Sequence, residues 1–205
     1  MTSPNGIRVL LAEDDATARS VLADLLATLG HTVVSSVATG REAIERTTEK
    51  HPDVVLLDVH MPDGSGIDAA ETITRAAPGI AVVLFSGDQS ITLSERDIAA
   101  TAALAFLPKP TPPKMLDSTI RLAVARARAL EEARRDATSA REELENRKIV
   151  ERAKGILMRR TGSSEHEAYR ILQRSSQDRS VPMVQIAKAV LASEPGADGG
   201  EQTRT

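Results

Sequence analysis

Asp58 closes the apolar run Val54-Val55-Leu56-Leu57, and Met61-Pro62 turns the chain just beyond it. A short apolar run bounded by turn signals reads as a strand buried on both faces. In open α/β sheets, ligands gather outside the carboxyl ends of such strands. A carboxylate placed there is costly unless a cation faces it. Glu13 and Asp14 end a second apolar run, Ile7 to Ala12. Together the three acids predict a cation site. Mg²⁺ suits it, because this ion takes oxygen ligands, keeps several waters and needs only one or two carboxylates. Asp14 and Asp58 would bind directly and Glu13 through water. With the metal offsetting repulsion, ionised Asp58 can attack a phosphoryl group in line and become an acyl phosphate. Lys109 follows the run Ala103–Leu107 and can pair with phosphate oxygens as a point charge. Ser86 follows Ile80–Phe85 and can donate its hydroxyl hydrogen. Singly, each residue has a plainer reading: a turn acid, a solvated lysine, a helix cap. All five at the ends of four apolar runs point to one site on one sheet edge.

The elements that would position them alternate. Apolar runs at Ile7–Ala12, Thr32–Ser36, Val54–Leu57, Ile80–Phe85 and Ala103–Leu107 are separated by stretches with helical spacing, such as Val21/Leu22/Leu25/Leu26/Leu29. This order predicts an α/β fold with a five-stranded parallel sheet and helices on both faces. From about Pro112 the pattern changes. Residues 114–160 hold no proline and a single glycine, Gly155, and are rich in helix formers. The expectation is one long helix. Its candidate seam (Ala123, Ala127, Leu130, Ala133, Ala137, Ala140, Leu144) is alanine-heavy and not a clean heptad, so it implies weak or conditional pairing. The alternative is a lone helix lying on the first domain. Gly162-Ser163-Ser164 breaks the helix, Ser164 to Glu167 reads as a capping box, and Ser180-Val181-Pro182 separates a last short helix. The organisation is therefore residues 1–117, an α/β domain; 118–143, a helical linker or coiled coil; 144–193, a small all-α module; and 194–205, a disordered tail.

The net charge of −3 over 205 residues conceals an asymmetry. Residues 1–117 balance to −7, residues 118–146 to zero, and residues 147–193 to +6. A basic module on an acidic chain predicts an anionic partner, nucleic acid first. With no cysteine, disulfides, thiol catalysis and cysteine-zinc sites are excluded. No stretch is apolar enough for a membrane span and no signal peptide is visible, so the expected location is cytoplasmic.

The segments Val9-Leu10-Leu11-Ala12-Glu13-Asp14-Asp15, Leu57-Asp58-Val59-His60-Met61-Pro62, Ser86-Gly87 and Phe106-Leu107-Pro108-Lys109-Pro110 resemble those of a response-regulator receiver domain. The resemblance spans residues 7–117. It implies a flavodoxin-like fold, Asp58 as acceptor of phosphate from a histidine kinase, and Glu13 and Asp14 as the acidic pair. The backbone carbonyl of His60 would complete the Mg²⁺ shell, and Phe106 would be the aromatic that moves as Ser86 shifts onto the phosphate. It further implies a cis Lys109–Pro110 bond and no enzyme activity beyond accepting the phosphoryl group and slowly losing it. Asp15 matches a position outside the pair. Gln89–Thr101 carries no strong family pattern.

Residues 144–192 are similar to an ANTAR domain through Glu151-Arg152-Ala153-Lys154-Gly155-Ile156-Leu157-Met158, Glu167-Ala168, Leu172 and Ile186-Ala187. That resemblance implies a three-helix bundle that binds paired stem-loops in nascent RNA and prevents transcription termination. Taken with the receiver, it leads to the expectation that phosphate on Asp58 favours a homodimer through the long helix, whose two basic modules clamp two RNA loops. Gly155 inside a helix costs about 1 kcal/mol against alanine, which predicts close approach of another helix. Arg147, Lys148, Arg152, Lys154, Arg159, Arg160, Arg170 and Arg174 could contact phosphates or stack on bases. Tyr169 could stack on a base or pack beside Leu172. The competing outputs are a helix-turn-helix that reads DNA and a basic surface that docks an acidic protein.

Overall fold

The computed structural model describes residues 6–87, 103 and 105–194. Five parallel strands, β1 (Arg8–Ala12), β2 (Thr32–Val37), β3 (Val54–Asp58), β4 (Ala81–Ser86) and β5 (Ala105–Pro108), lie in the order β2-β1-β3-β4-β5. This is the flavodoxin-like, doubly wound order, whose switch point falls between β1 and β3. Helices α1 (Ala16–Thr28), α2 (Gly40–Lys50) and α3 (Gly66–Ala76) cover the sheet, and α4 (Pro113–Thr161), α5 (Glu165–Arg179) and α6 (Met183–Ala192) follow. Side chains alternate across the pleat and build two cores. On β3, Val54 and Leu56 join the core on the α1 and α4 side, and Val55 and Leu57 the opposite one under α2 and α3.

Local chemistry sets the helix starts. Asp15 accepts the N–H of Ala18 at 2.7 Å, so the acid beside the expected metal pair is the N-cap of α1. Thr39 and Ser65 cap α2 and α3 in the same way. Asp63 accepts the N–H groups of both Gly40 and Arg41, at 3.0 and 2.9 Å. Those two backbone donors hold its carboxyl below the usual carboxylate range.

The chain divides into two compact units, residues 1–134 and 135–205. The first takes in the start of α4, because Leu116, Ile120, Ala123, Val124 and Ala127 are all buried in the sheet's core. Arg128 also pairs with Asp53 at 2.7 Å. The expected seam therefore splits. Ala123 and Ala127 face the sheet, whereas Leu130, Ala133, Ala137, Ala140 and Leu144 are exposed. In the second unit, Ile149, Val150, Ala153, Ile156 and Leu157 of α4 face inward, with Ala168 and Leu172 of α5 and Ile186, Ala187 and Val190 of α6. Ser164 and Glu167 form the predicted capping box. Gly162, with φ +68°, and Ser180, with φ 53°, make the two breaks. On α5, Leu172 is fully enclosed whereas its neighbour Ile171 is 41% exposed. Among the described residues, no helix is long and apolar enough to cross a membrane. The stretch Gln89–Thr101 and the tail from residue 195 lie outside the described residues.

His31, at the α1–β2 junction, has a fully enclosed side chain with Nε2 3.1 Å from Asp117 Oδ1, though the alignment is not that of a hydrogen bond. Burial holds its pKa below the ordinary 6.5, against the smaller upward pull of Asp117. The unfolded chain then binds the proton more readily than the folded one. The stability linked to His31 is full above pH 6.5 and declines as pH falls through the window below it. Urea midpoints measured from about pH 7.5 down to about pH 5.5 should fall for the wild type, and His31→Leu should flatten that slope.

Candidate phosphoacceptor site and basic module

The carboxyl ends of β1, β3, β4 and β5 carry Glu13, Asp58, Ser86 and Lys109 to one edge of the sheet. Glu13 and Asp58 are buried, at 2% and 5% exposure, Ser86 is fully enclosed, and Asp14 is exposed. One carboxylate oxygen from each of Glu13, Asp14 and Asp58 lies within 4.8 Å of the others. Three hard oxygen donors at this spacing fit a small divalent cation such as Mg²⁺. Lys109 Nζ donates to Asp58 Oδ2 at 2.5 Å and also to Glu13 Oε2. Asp58 Oδ1 accepts the N–H of His60 at 3.2 Å. Desolvation raises the pKa of Glu13, and the hydrogen bond from Lys109 opposes that rise. The Lys109–Pro110 bond is cis. Phe106 is half-buried and packs on the α2/α3 side of the sheet.

Several contributors carried no signal in the sequence. Phe85 places its ring centroid 4.4 Å from Lys109 Nζ, so the ammonium is steered by a π-face as well as by two carboxylates. Arg19 Nη1 donates to the carbonyls of Glu13 and Asp14, at 2.6 and 3.1 Å, and fixes the loop that carries the acidic pair. Gly66 opens α3 directly against the end of β3, where Asp58 sits. A Cβ there would sit 1.9 Å from the carbonyl oxygen of Asp58, so only glycine fits.

Known proteins bear on this arrangement. Residues 9–121 match the response regulator receiver domain family and residues 138–191 the ANTAR domain family. The chain belongs to the response regulators with a receiver and an ANTAR domain. It is 38% identical over 190 residues to the transcriptional regulatory protein PdtaR of Mycobacterium tuberculosis, covering 90% of this chain and 89% of that protein. It is 34% identical over 110 residues to the chemotaxis protein CheY of Thermotoga maritima, covering 53% of this chain and 89% of that protein. The crystal structure of the response regulator domain of Thermotoga maritima CheB superposes with a TM-score of 0.53 at 30% identity, over 58% of this chain and 97% of that one. Both modules are regulatory. A receiver implies a histidine kinase as partner, and an ANTAR domain implies RNA.

In the ANTAR unit the basic residues fall into two groups. Lys154 is 7% exposed and donates to Glu151 and Glu165 at 2.9 and 2.7 Å, two bonds that raise its pKa. It ties α4 to the start of α5. Arg160 donates to Ser193, and Arg159 pairs with Glu194 at 2.9 Å. Arg147, Lys148, Arg152, Arg170 and Arg174 are exposed, and Tyr169 is 42% exposed. Among the described residues, the close helix expected at Gly155 is not there: a methyl at that position would meet only Arg159 Nη1 of its own helix, at 3.8 Å.

A cation that binds only the folded receiver stabilises it by mass action, by about 2.7 kcal/mol at a hundredfold excess over Kd. Mg²⁺ should therefore raise the thermal midpoint of the wild type. Asp14→Asn should abolish most of that rise in a calorimetric titration, because the exposed member of the trio is its least constrained ligand.

Proposed function

We propose that this chain is a phosphorylation-controlled RNA-binding regulator acting in transcription antitermination. The observation that carries the receiver half is Asp58, buried at a sheet edge with Glu13, Asp14 and Lys109 converging on it. In the proposed transfer, an Asp58 carboxylate oxygen attacks the phosphorus of a phosphohistidine on the kinase. The P–N bond breaks, the imidazole leaves with the electron pair, and an acyl phosphate forms. Glu13, Asp14, Asp58 and the backbone carbonyl of His60 would hold Mg²⁺, which neutralises charge on the phosphoryl oxygens. Lys109 would exchange its bond to Asp58 for one to the phosphate. The Ser86 hydroxyl would donate to another phosphoryl oxygen, and Phe106 would follow it inward.

Output would run through a second copy of the chain. Leu130, Ala133, Ala137, Ala140 and Leu144 are exposed and alternate by three and four residues, a clean heptad once Ala123 and Ala127 are assigned to the receiver core. Parallel, in-register pairing would set Asp136 against Arg141 of the other copy. Antiparallel pairing would oppose acid to acid and base to base. Charge thus favours the parallel arrangement. Two ANTAR bundles held together would engage two RNA loops with a gain from effective concentration. Arg147, Lys148, Arg152, Arg159, Arg160, Arg170, Arg174 and Tyr169 are the proposed RNA contacts, with Lys154 in a positioning role.

Three measurements test this. Radiolabel from a phosphorylated kinase should appear on the wild type and vanish in Asp58→Asn, and retained label would place the acceptor elsewhere. Hairpin RNA should bind more tightly than duplex DNA at two salt concentrations, and more tightly again with Mg²⁺ and an acyl-phosphate mimic. Equal affinity for both polymers, or indifference to the mimic, would sink the proposal. A pyrene attached at Asn146→Cys, near one end of the seam, should give excimer emission when the mimic is added. A dimer lacking that emission would rule out parallel pairing.

A further inference from the structure

Gly155 is a gap in a row of cations. Lys148, Arg152, Gly155 and Arg159 follow one another at spacings of four, three and four along α4, which places them on a single helical face. Ala153 and Ile156 are buried at 0% and 3%, and they point that face away from the bundle core. Lys148, Arg152 and Arg159 are exposed. At the centre of the row Gly155 itself offers no side chain, and among the described residues an added methyl would touch only Arg159 Nη1, at 3.8 Å. Packing against the described residues therefore does not require the glycine. Nor does its backbone need it, since it lies inside the regular helix Pro113–Thr161 and is absent from the glycines with positive φ. A residue that weakens its helix without serving its own fold points to something outside it.

We propose that the face Lys148–Arg152–Gly155–Arg159 is where the RNA sugar-phosphate backbone docks, with Gly155 as the point of closest approach. The inference rests on the RNA reading above and sharpens it. A phosphodiester seated against the bare helix would come within reach of Arg152 one turn before and Arg159 one turn after. A β-carbon would lift it off the surface and lengthen both contacts. The acids that answer these cations are exposed: Glu145 pairs with Lys148 at 2.9 Å, and Glu194 with Arg159 at 2.9 Å. Solvent-exposed pairs of this kind contribute little and yield readily to a phosphate.

The test compares full-length wild type, Gly155→Ala and Arg152→Ala in binding RNA hairpins with a randomised loop, across a salt series. Gly155→Ala should melt at or above the wild-type temperature, because alanine is the better helix former and nothing obstructs it. It should nevertheless bind RNA about tenfold more weakly. Its salt slope should match the wild type, since no charge is removed, whereas Arg152→Ala should lower the slope by about one. Wild-type affinity in Gly155→Ala would overturn the proposal and leave the RNA reading standing. Lost affinity accompanied by a lower melting temperature would assign the glycine to the fold, and a changed oligomeric state would assign the face to a second copy. A wild type that binds no hairpin would refute the RNA reading itself.

Discussion

Three carboxylate oxygens within 4.8 Å of one another, two of them on buried residues, set the terms for the receiver. Like charges about 4 Å apart repel by roughly 4 kcal/mol at the effective dielectric of a protein surface, against about 1 kcal/mol in water. Burial sharpens that conflict and raises the pKa of Glu13. Among the described residues a single ammonium, Lys109, answers it, which leaves a pocket with a standing attraction for cations. Such a cluster holds only if its backbone cannot relax. The fully buried strand β3, the Arg19 bonds to the Glu13 and Asp14 carbonyls, and the contact between Gly66 and the Asp58 carbonyl hold it in place.

Much of this was legible in the chain. Strands of a parallel sheet covered on both faces are continuous apolar runs, so β1, β3 and β4 announce themselves, and an acid, serine or lysine at the end of such a run is conspicuous. What stayed hidden depends on who meets whom in space. Gly66 looks like any turn glycine until the Asp58 carbonyl is seen against it. Asp63, at the tip of the small antiparallel hairpin that pairs His60–Met61 with Gly64–Ser65, reaches back to α2. Ala123 and Ala133 have the same composition and helical context, yet one is buried in the receiver core and the other is exposed. Lys154 reads as one more cation in a basic run, and only the fold gives it Glu151 and Glu165. Gly155 stands out in the sequence as a weak point of its helix, but a missing side chain does not say what approaches it, and among the described residues no other helix does.

The same alanines explain why pairing through α4 would be conditional. Burying a leucine contributes about 1.5–3 kcal/mol, and the exposed seam offers only Leu130 and Leu144 from each helix. Association costs an estimated 4–15 kcal/mol, so the two terms nearly cancel. On the proposed pairing, a seam built this way would be poised, and a modest change elsewhere would decide the balance. A leucine zipper of the same length would be dimeric at rest and would leave the receiver nothing to control.

Tyr169 has a practical corollary. It is the sole tyrosine among the 205 residues, with no tryptophan and no cysteine beside it, and it stands half in solvent on α5. The molecule's near-ultraviolet fluorescence therefore originates almost wholly from the ANTAR bundle, while the receiver, with two phenylalanines, is optically quiet. Emission from the unmodified chain reports events at the output module alone. A lone cysteine introduced into the receiver would supply a second, separately addressable colour.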